Sequence, residues 1–335
     1  MRILVTGGLG FIGSNFCRHL ITHYPNYHIT NVDKIGKGAN LDNLKGMEKE
    51  NRYKFIKGNI CDPHITEKCV KEADVIINIA AETHVDRSIA NPLQFFENNI
   101  MGTFTLLEAI RKYKDNVRFT QVSTDEVYGE IAQGTFTEMD SLNPSNPYSA
   151  SKAAADMFVI AYWKTYNLHT NITRCTNNFG PYQLPEKLIP KIIIRALKDQ
   201  PLPIYGSGKN IRDWLYVQDH CEALMDVARN GKPGKIYNIS AGNELPNIKI
   251  VKKILNLLNK PESLITFVED RPGHDYRYSL SSTKIRSELS WKPKFPFEEA
   301  LKATVNWYVE NRWWWSPLAT AENLQATPWK PRDKP

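Results

Sequence analysis

A short strand-like run, Arg2–Thr6, leads straight into Gly7-Gly8-Leu9-Gly10-Phe11-Ile12-Gly13, and a helical pattern follows. No other stretch constrains the fold as strongly. Gly7 permits a tight turn, Gly10 lets a pyrophosphate approach the backbone, and Gly13 lets the helix pack on the strand. The helix start then offers unpaired N–H groups and partial positive charge to a phosphate. Glycines alone are a weak signal. A strand before, a helix after and an acid at the end of the next strand complete it. Asp33 is that acid. A carboxylate there hydrogen-bonds the adenosine ribose and repels a 2′-phosphate, which favours NAD over NADP. Lys34, next in the chain, pulls the other way. The competing reading is a tight turn that binds nothing.

The alternation continues beyond the turn. Strand-like runs at Arg2–Thr6, His28–Asp33, Tyr53–Lys57, 75–79, 117–122 and 170–173 are interleaved with helix-like runs at 11–22, 92–113 and Pro147–Tyr166. This predicts crossover units on a parallel sheet, an α/β fold doubly wound in the Rossmann manner. After Asn178, prolines and glycines crowd in, as in Gly206-Ser207-Gly208 and Arg271-Pro272-Gly273. The expected division is a Rossmann domain over 1–178 and a smaller mixed α/β lobe over 179–335, with Ile236–Ile239 returning to the sheet. Trp313-Trp314-Trp315 suits core or interface packing. The polar tail from Ala321 is expected to be loosely held.

Composition removes several alternatives. With 335 residues, 41% of them hydrophobic, the chain can bury a full core and has the length of about two domains. The net charge of +7 suits an anionic ligand. No basic run is long enough for a nucleic-acid arm, so a scattered basic surface is the simpler reading. The five cysteines form no Cys-x-x-Cys pair. An odd number without such spacing argues against a disulfide or zinc framework and fits a reducing cytoplasm. The N-terminal apolar run is too short for a signal peptide. No stretch of about 18 apolar residues exists, so no membrane span is expected.

Two pairs of residues carry chemistry. Tyr148 and Lys152 stand four apart after Ser145-Asn146-Pro147. Asn146 suits an N-cap and Pro147 a first helical residue. The spacing places both side chains on one helix face, ~6 Å apart along the axis. A tyrosine with the ordinary pKa of about 10 is a poor base. A nearby ammonium and a nicotinamide cation would favour the phenolate. Tyr148 then accepts a hydroxyl proton while hydride leaves the same carbon. Such a pair is usually surface decoration, but the dinucleotide turn and the Ser/Thr-rich strand end favour catalysis. The second pair, Asp125-Glu126, follows Ser123-Thr124 at a strand's carboxyl end, where parallel sheets carry active groups. Adjacent carboxylates suit acid–base work if their environments push their pKa values apart. A turn capped by Asp125 is the structural alternative.

On Gly7, Gly10, Gly13, Asp33, Asn59-Ile60, Ala80-Ala81, Tyr148 and Lys152, the chain resembles the extended short-chain dehydrogenase/reductase family over nearly its whole length. The resemblance implies a seven-stranded parallel sheet with a substrate lobe. It also implies nucleotide-activated sugars as substrates, and homodimers through a four-helix bundle built from 92–113 and Pro147–Tyr166. It narrows to the dTDP-glucose 4,6-dehydratase branch on longer motifs. These are Ala80-Ala81-Glu82-Thr83-His84-Val85-Asp86-Arg87-Ser88, Thr124-Asp125-Glu126 and Asn177-Asn178-Phe179-Gly180-Pro181-Tyr182, with Glu186-Lys187-Leu188-Ile189-Pro190, Arg212-Asp213-Trp214-Leu215-Tyr216-Val217 and Asp270-Arg271-Pro272-Gly273-His274-Asp275.

In that branch, NAD oxidises C4 of the glucosyl unit, water leaves across C5–C6, and the hydride returns to C6. The cofactor is regenerated and stays tightly bound, and the product feeds deoxysugar biosynthesis. The resemblance makes Tyr148 the base at C4, Thr124 a hydrogen-bond partner of the C4 oxygen, Glu126 the base at C5 and Asp125 the acid at the C6 hydroxyl. It implies a cofactor site of Gly7, Gly10, Phe11, Ile12, Gly13, Asp33, Lys34, Asn59, Ile60, Ala80, Ala81, Thr83, Asn98, Tyr148, Lys152 and Asn178. It implies a substrate site of Thr83, Thr124, Asn177, Lys187, Leu188, Pro203, Ile204, Tyr205, Arg212, Asn247, Asp275, Arg277 and Tyr278. Asn177 and Arg212 would meet the diphosphate, arginine offering forked donors. Asn59 departs from the family's usual aspartate, and the loop 35–40 from its commoner form. His84 and His274 lack metal-ligand spacing, so no metal is expected.

Three functions compete. A C4 epimerase or decarboxylase on the same fold needs Tyr148 and Lys152 but not adjacent Asp125 and Glu126. A non-catalytic NAD-binding regulator needs none of the four together. A 4,6-dehydratase needs them all.

Overall fold

The computed structural model describes residues 1–114 and 116–330. Its strands, in chain order, are β1 Arg2–Thr6, β2 His28–Asp33, β3 Tyr53–Lys57, β4 Val75–Asn78, β5 Arg118–Thr124, β6 Thr170–Cys175, β7 Asn177–Phe179, β8 Leu202–Tyr205, β9 Ile211–Tyr216, β10 Ile236–Ile239, β11 Glu244–Pro246 and β12 Ile265–Val268. Seven of them form one parallel sheet in the order β10-β6-β5-β4-β1-β2-β3. The expected doubly wound sheet is present. Its strand order reverses at β1, and the glycine turn leaves the carboxyl end there, the place where such sheets bind ligands.

Period-two alternation assigns the helices to the two faces. Ile3, Val5, Val75 and Ile77 point to one side, where Phe16 and Leu20 of the helix Phe11–His23 and Cys221 and Leu224 of the helix Val217–Asn230 cover them. Leu4, Val32, Ile76 and Phe119 point to the other, under Leu106 and Ile110 of Gly102–Tyr113 and Val159 of Pro147–Tyr166. Burying each of these large side chains contributes roughly 1.5–3 kcal/mol. Three strands differ from expectation at their ends. β4 stops at Asn78, while β5 and β6 run on to Thr124 and Cys175 because these two residues are paired across the ladder.

The expected helix over 92–113 is interrupted. Leu93–Phe95 and Gly102–Tyr113 flank a π-helical turn, Phe96–Met101. Such turns cluster at functional sites. Here the wider turn directs the buried Asn99 inward, where its Oδ1 accepts from Glu82 N at 2.8 Å and its Nδ2 donates to Glu82 O and to Ser151 Oγ. Asn98, beside it, reaches Lys34.

The second half builds a sheet β11-β9-β7 and a pair β12-β8 around a core that includes Ile189, Ile193, Trp214, Ile254 and Leu301. β10 and the helix Val217–Asn230 return to the large sheet. Trp314 and Trp315 join the second core, and Trp314 Nε1 donates to Asn43 Oδ1 at 2.8 Å. Trp313 stays on the surface beneath Lys45. The tail is not loosely held as expected. Leu324 and Trp329 are buried, and Arg195 and Lys191 donate to the carbonyls of Leu324 and Gln325. Two apolar anchors in a polar stretch suffice to dock it. Residues 331–335 lie outside the described residues. No helix among the described residues is long and apolar enough to cross a membrane.

Candidate active site

Gly7 has φ +71°, and its N–H donates to Val32 O at 2.8 Å. A Cβ on Gly7 would sit 2.7 Å from Ala80 Cα, and one on Gly13 would sit 2.2 Å from Gly7 O. The turn therefore tolerates no side chain at either place. Asp33 does more than wait for a ribose. Its Oδ2 accepts from Leu9 N at 3.0 Å and its Oδ1 from Ile35 N at 2.8 Å, so it braces the turn. Each carboxylate oxygen keeps a lone pair for a ligand hydroxyl. No side chain caps the helix Phe11–His23, whose first residues Phe11, Ile12 and Gly13 face the cleft. An uncapped helix start beside close-packed glycines fits a dinucleotide diphosphate. Gly13→Ala is expected to reduce dinucleotide affinity about 100-fold, equal to about 2.7 kcal/mol of binding energy. Titration of the cofactor-stripped protein, followed by fluorescence, measures this; unchanged affinity contradicts the assignment of the turn.

Lys34 does not stand free to attract a 2′-phosphate. Its ammonium pairs with Glu82 Oε1 at 3.1 Å and donates to Asn98 Oδ1 at 2.7 Å. Glu82 also pairs with Arg87 at 3.4 Å, and Arg87 with Glu186 at 3.1 Å. Charges of alternating sign thus run along the cleft wall. One cleft runs from the glycine turn past Tyr148 and the carboxylate pair to Lys187.

Most expected site residues line this one cleft. They are Gly7, Gly10, Phe11, Ile12, Gly13, Asp33, Lys34, Asn59, Ile60, Ala80, Ala81, Thr83 and Asn98 on the dinucleotide side. Thr124, Asp125, Glu126, Tyr148, Lys152, Asn177, Asn178 and Lys187 follow toward the second lobe. The remaining nine lie outside its wall. Leu188 packs on the second core, Ile204 is buried within it, and Pro203 is buried beside it on β8. Tyr205 donates to Asp86 Oδ2 at 2.9 Å. The buried Arg212 donates to the carbonyls of Ile211, Asp275 and Tyr276, with its guanidinium 4.3 Å from the Tyr278 ring centroid. Tyr278 donates to Asp275 Oδ2, and Arg277 pairs with Glu244 at 2.7 Å. Asn247 opens the helix Asn247–Leu257, its Oδ1 buried with no hydrogen-bond partner among the described residues.

The catalytic candidates come from two elements. Asn146 and Ser149 form a reciprocal capping box at the start of Pro147–Tyr166, which fixes the first turn of the helix where Tyr148 sits. Tyr148 N donates to Ser88 Oγ, and the ring of Phe95 meets its ring edge-on. One turn later the buried Lys152 donates to Val122 O at 2.6 Å. The other element is the 3₁₀ turn Asp125–Tyr128 after β5. Thr124 caps it through Glu126 N, and its hydroxyl donates to Asp125 Oδ1 at 3.0 Å. Asp125 Oδ2 and Glu126 Oε2 are shielded from solvent and have no hydrogen-bond partner among the described residues.

Burial, reinforced by Glu126, pushes Asp125 up to about 8, so it holds its proton at neutral pH. Burial also raises Glu126, but Arg271, Arg212 and Lys187 oppose it with positive charge. The pair is thereby divided into one acid and one potential base. Burial and then Glu126 hold the Tyr148 phenol well above its ordinary value, although a hydrogen bond with Thr124 acts the other way. The Lys152 ammonium is directed at the Val122 carbonyl.

Arg271 was missed in the sequence. It pairs with Asp86 at 3.0 Å and acts on Glu126, and its Nε is buried without a hydrogen-bond partner among the described residues. The signal was the crowding of Glu82, Asp86 and Arg87 in one short stretch, which demands buried partners. Among the described residues, no group of three or more His, Cys, Asp and Glu could hold a metal ion.

Residues 4–304 match the family model described as GDP-mannose 4,6 dehydratase. A dTDP-glucose 4,6-dehydratase from Escherichia coli is 46% identical over 94% of this chain and 95% of its own. A dTDP-glucose 4,6-dehydratase from Bacillus anthracis, solved in complex with NAD, is 46% identical, with a TM-score of 0.90 over 95% of this chain and 99% of its own. A UDP-glucose 4-epimerase from Thermotoga maritima, solved with UDP-glucose, is 28% identical, with a TM-score of 0.86 over 93% of this chain and 100% of its own.

Proposed function

The chain belongs to the GDP-mannose 4,6 dehydratase family, and we propose that it is a hydro-lyase that converts dTDP-glucose to dTDP-4-dehydro-6-deoxyglucose for deoxysugar synthesis. The observation that carries this reading is Asp125 beside Glu126, each with an oxygen unpartnered among the described residues, in the same cleft as Tyr148 and Lys152. Redox chemistry at C4 alone needs only the second pair. The cofactor is NAD; held by the glycine turn and Asp33, it would supply the hydride acceptor for C4 and the hydride donor for C6, so one molecule would serve every turnover.

Gly7, Gly10 and Gly13 bring the backbone to its diphosphate. Asp33 takes the adenosine ribose, and Asn59, Ile60, Ala80 and Ala81 flank the adenine side. Tyr148 accepts the C4 hydroxyl proton, with Thr124 sharing the C4 oxygen. The Tyr148 phenol must lose its proton against its own burial. A nearby ammonium together with a nicotinamide cation would favour this. Once C4 is a ketone, Glu126 removes the C5 proton, which is otherwise far too weak an acid for a carboxylate. Asp125, protonated at neutral pH, gives its proton to the C6 hydroxyl as it leaves. The proton on Glu126 exchanges with solvent before C5 is reprotonated at the end. Lys187 and Asn177 face the cleft where the diphosphate enters, and Arg212 and Arg271 add charge behind it. We assign the cofactor to 1–178 and the nucleotide sugar mainly to 179–335.

The protein acts as a homodimer in this reading. Leu93, Phe96 and Met101 on one helical run and Met157 and Phe158 on Pro147–Tyr166 are exposed, Phe96 at 52% and Met157 at 47%. Apolar residues on two neighbouring helices suit a four-helix interface. Phe96→Arg combined with Met157→Arg is expected to give a monomer in sedimentation velocity; an unchanged dimer would locate the interface elsewhere. We place the enzyme in the cytoplasm, where five free cysteines stay reduced.

Product analysis by NMR tests the activity. With dTDP-glucose the expected product carries a C6 methyl group and a C4 ketone. A galacto-configured product alone would make the protein an epimerase, and no product from dTDP-glucose beside turnover of UDP-glucose would change the base.

A further inference from the structure

Behind the catalytic groups lies a charged pair that the mechanism above does not use. Asp156 is 0% exposed and Arg174 1%. Arg174 Nε donates to Asp156 Oδ2 at 2.9 Å, and Ser123 Oγ donates to the same oxygen at 3.1 Å. Arg174 Nη1 donates to Tyr128 Oη at 2.8 Å, and Tyr128 Oη donates to Asn238 Oδ1 at 2.9 Å. The pair therefore ties three elements together. Asp156 lies on the helix that carries Tyr148 and Lys152, Arg174 on β6, and Tyr128 on the turn that carries Asp125 and Glu126.

Stability is a poor account of such a pair. Desolvating two charges costs about as much as their attraction returns, and apolar replacements of similar volume are often neutral or better. Its position is more telling. Asp156 stands one helical turn beyond Lys152, whose ammonium is buried and donates to Val122 O. The groups that act on that ammonium are Asp156 on its own helix and the Cys175 thiol on β6; Tyr148, one turn back on the helix, is acted on by Glu126, Cys175 and Asp125. Of these, Asp156 opposes the burial of Lys152 most strongly, ahead of Cys175.

We propose that the Asp156–Arg174 pair positions both halves of the catalytic machinery: Asp156 keeps Lys152 an ammonium beside Tyr148, and Arg174, through Tyr128, fixes the turn that carries Asp125 and Glu126. Neither residue touches substrate. Removing the Asp156 charge lets Lys152 lose its proton at lower pH. Removing the Tyr128 hydroxyl leaves Lys152 charged and loosens only the carboxylate turn.

Two variants separate this from simple structural support. Asp156→Asn is expected to move the alkaline limb of C4 oxidation, read as NADH formed in the first turnover and independent of Asp125, down by about one unit. Tyr128→Phe is expected to leave that limb in place, lower kcat about tenfold, and raise the steady-state level of enzyme-bound NADH. A lower melting temperature with an unmoved alkaline limb in Asp156→Asn overturns the proposal. Should Asp156→Asn not fold, an unchanged NADH level in Tyr128→Phe overturns it equally. The proposal rests on the dehydratase reading, which turnover of dTDP-glucose by the unaltered protein tests separately.

Discussion

Glutamine in place of Glu126 is expected to leave a folded protein that oxidises C4 and then stops. The amide keeps the shape of the carboxylate and cannot accept the C5 proton. Loss of a general base costs about 10²–10⁴ in rate, and kcat should fall by that factor. The distinguishing sign is where the hydride is found. C4 oxidation depends on Tyr148 and Lys152, which the substitution leaves in place. On adding dTDP-glucose, NADH fluorescence should rise and persist, whereas the unaltered protein returns to baseline. Full turnover by this variant removes Glu126 from the mechanism.

Asparagine at position 125 is expected to slow the enzyme and stabilise the fold. In the folded protein Asp125 keeps its proton up to about pH 8. Unfolded, an aspartate titrates near about 3.9. Between those values the folded state binds the additional proton, so this group's contribution to stability declines as pH rises from about 4 to about 8. Asparagine has no proton to lose and abolishes the decline. The melting temperature of Asp125→Asn should therefore pull ahead of the unaltered protein as pH rises through that window. Parallel curves would contradict the burial of a protonated acid. Activity goes the other way: the C6 hydroxyl loses its proton donor, and kcat falls about 10²–10⁴. In the unaltered protein, kcat should itself decline above about pH 8.

Much of this was legible in the residues because the signals are local. Ile3, Leu4 and Val5 alternate between two cores, and the glycines leave no room for a Cβ, so strand, turn and helix follow from a dozen residues. Asp125, Glu126, Tyr148 and Lys152 were found by spacing, since one strand end and one helix face hold them all. What was missed is relational. The π turn Phe96–Met101 leaves no periodic trace, and it exists to bring Asn98 and Asn99 to Lys34 and Glu82. Arg271 meets Asp86 across 185 residues. The phenol of Tyr148 was expected to be acidified by Lys152 together with a nicotinamide cation; among the chain's own groups, burial and then Glu126 hold it high. The tail was judged by its polarity, and two buried side chains, Leu324 and Trp329, decide its place. Nine expected substrate residues lie outside the wall of the cleft, where backbone carbonyls and neighbouring carboxylates engage several of them.

The glycine turn, the redox pair and the carboxylate pair converge on one claim: hydride leaves C4, water leaves across C5–C6, and the hydride returns to C6. Turnover of dTDP-glucose in heavy water tests it most directly, with the product weighed and its label located by NMR. The account predicts a sugar that has lost one water and gained one solvent deuterium, at C5. A sugar of unchanged mass without deuterium would contradict it.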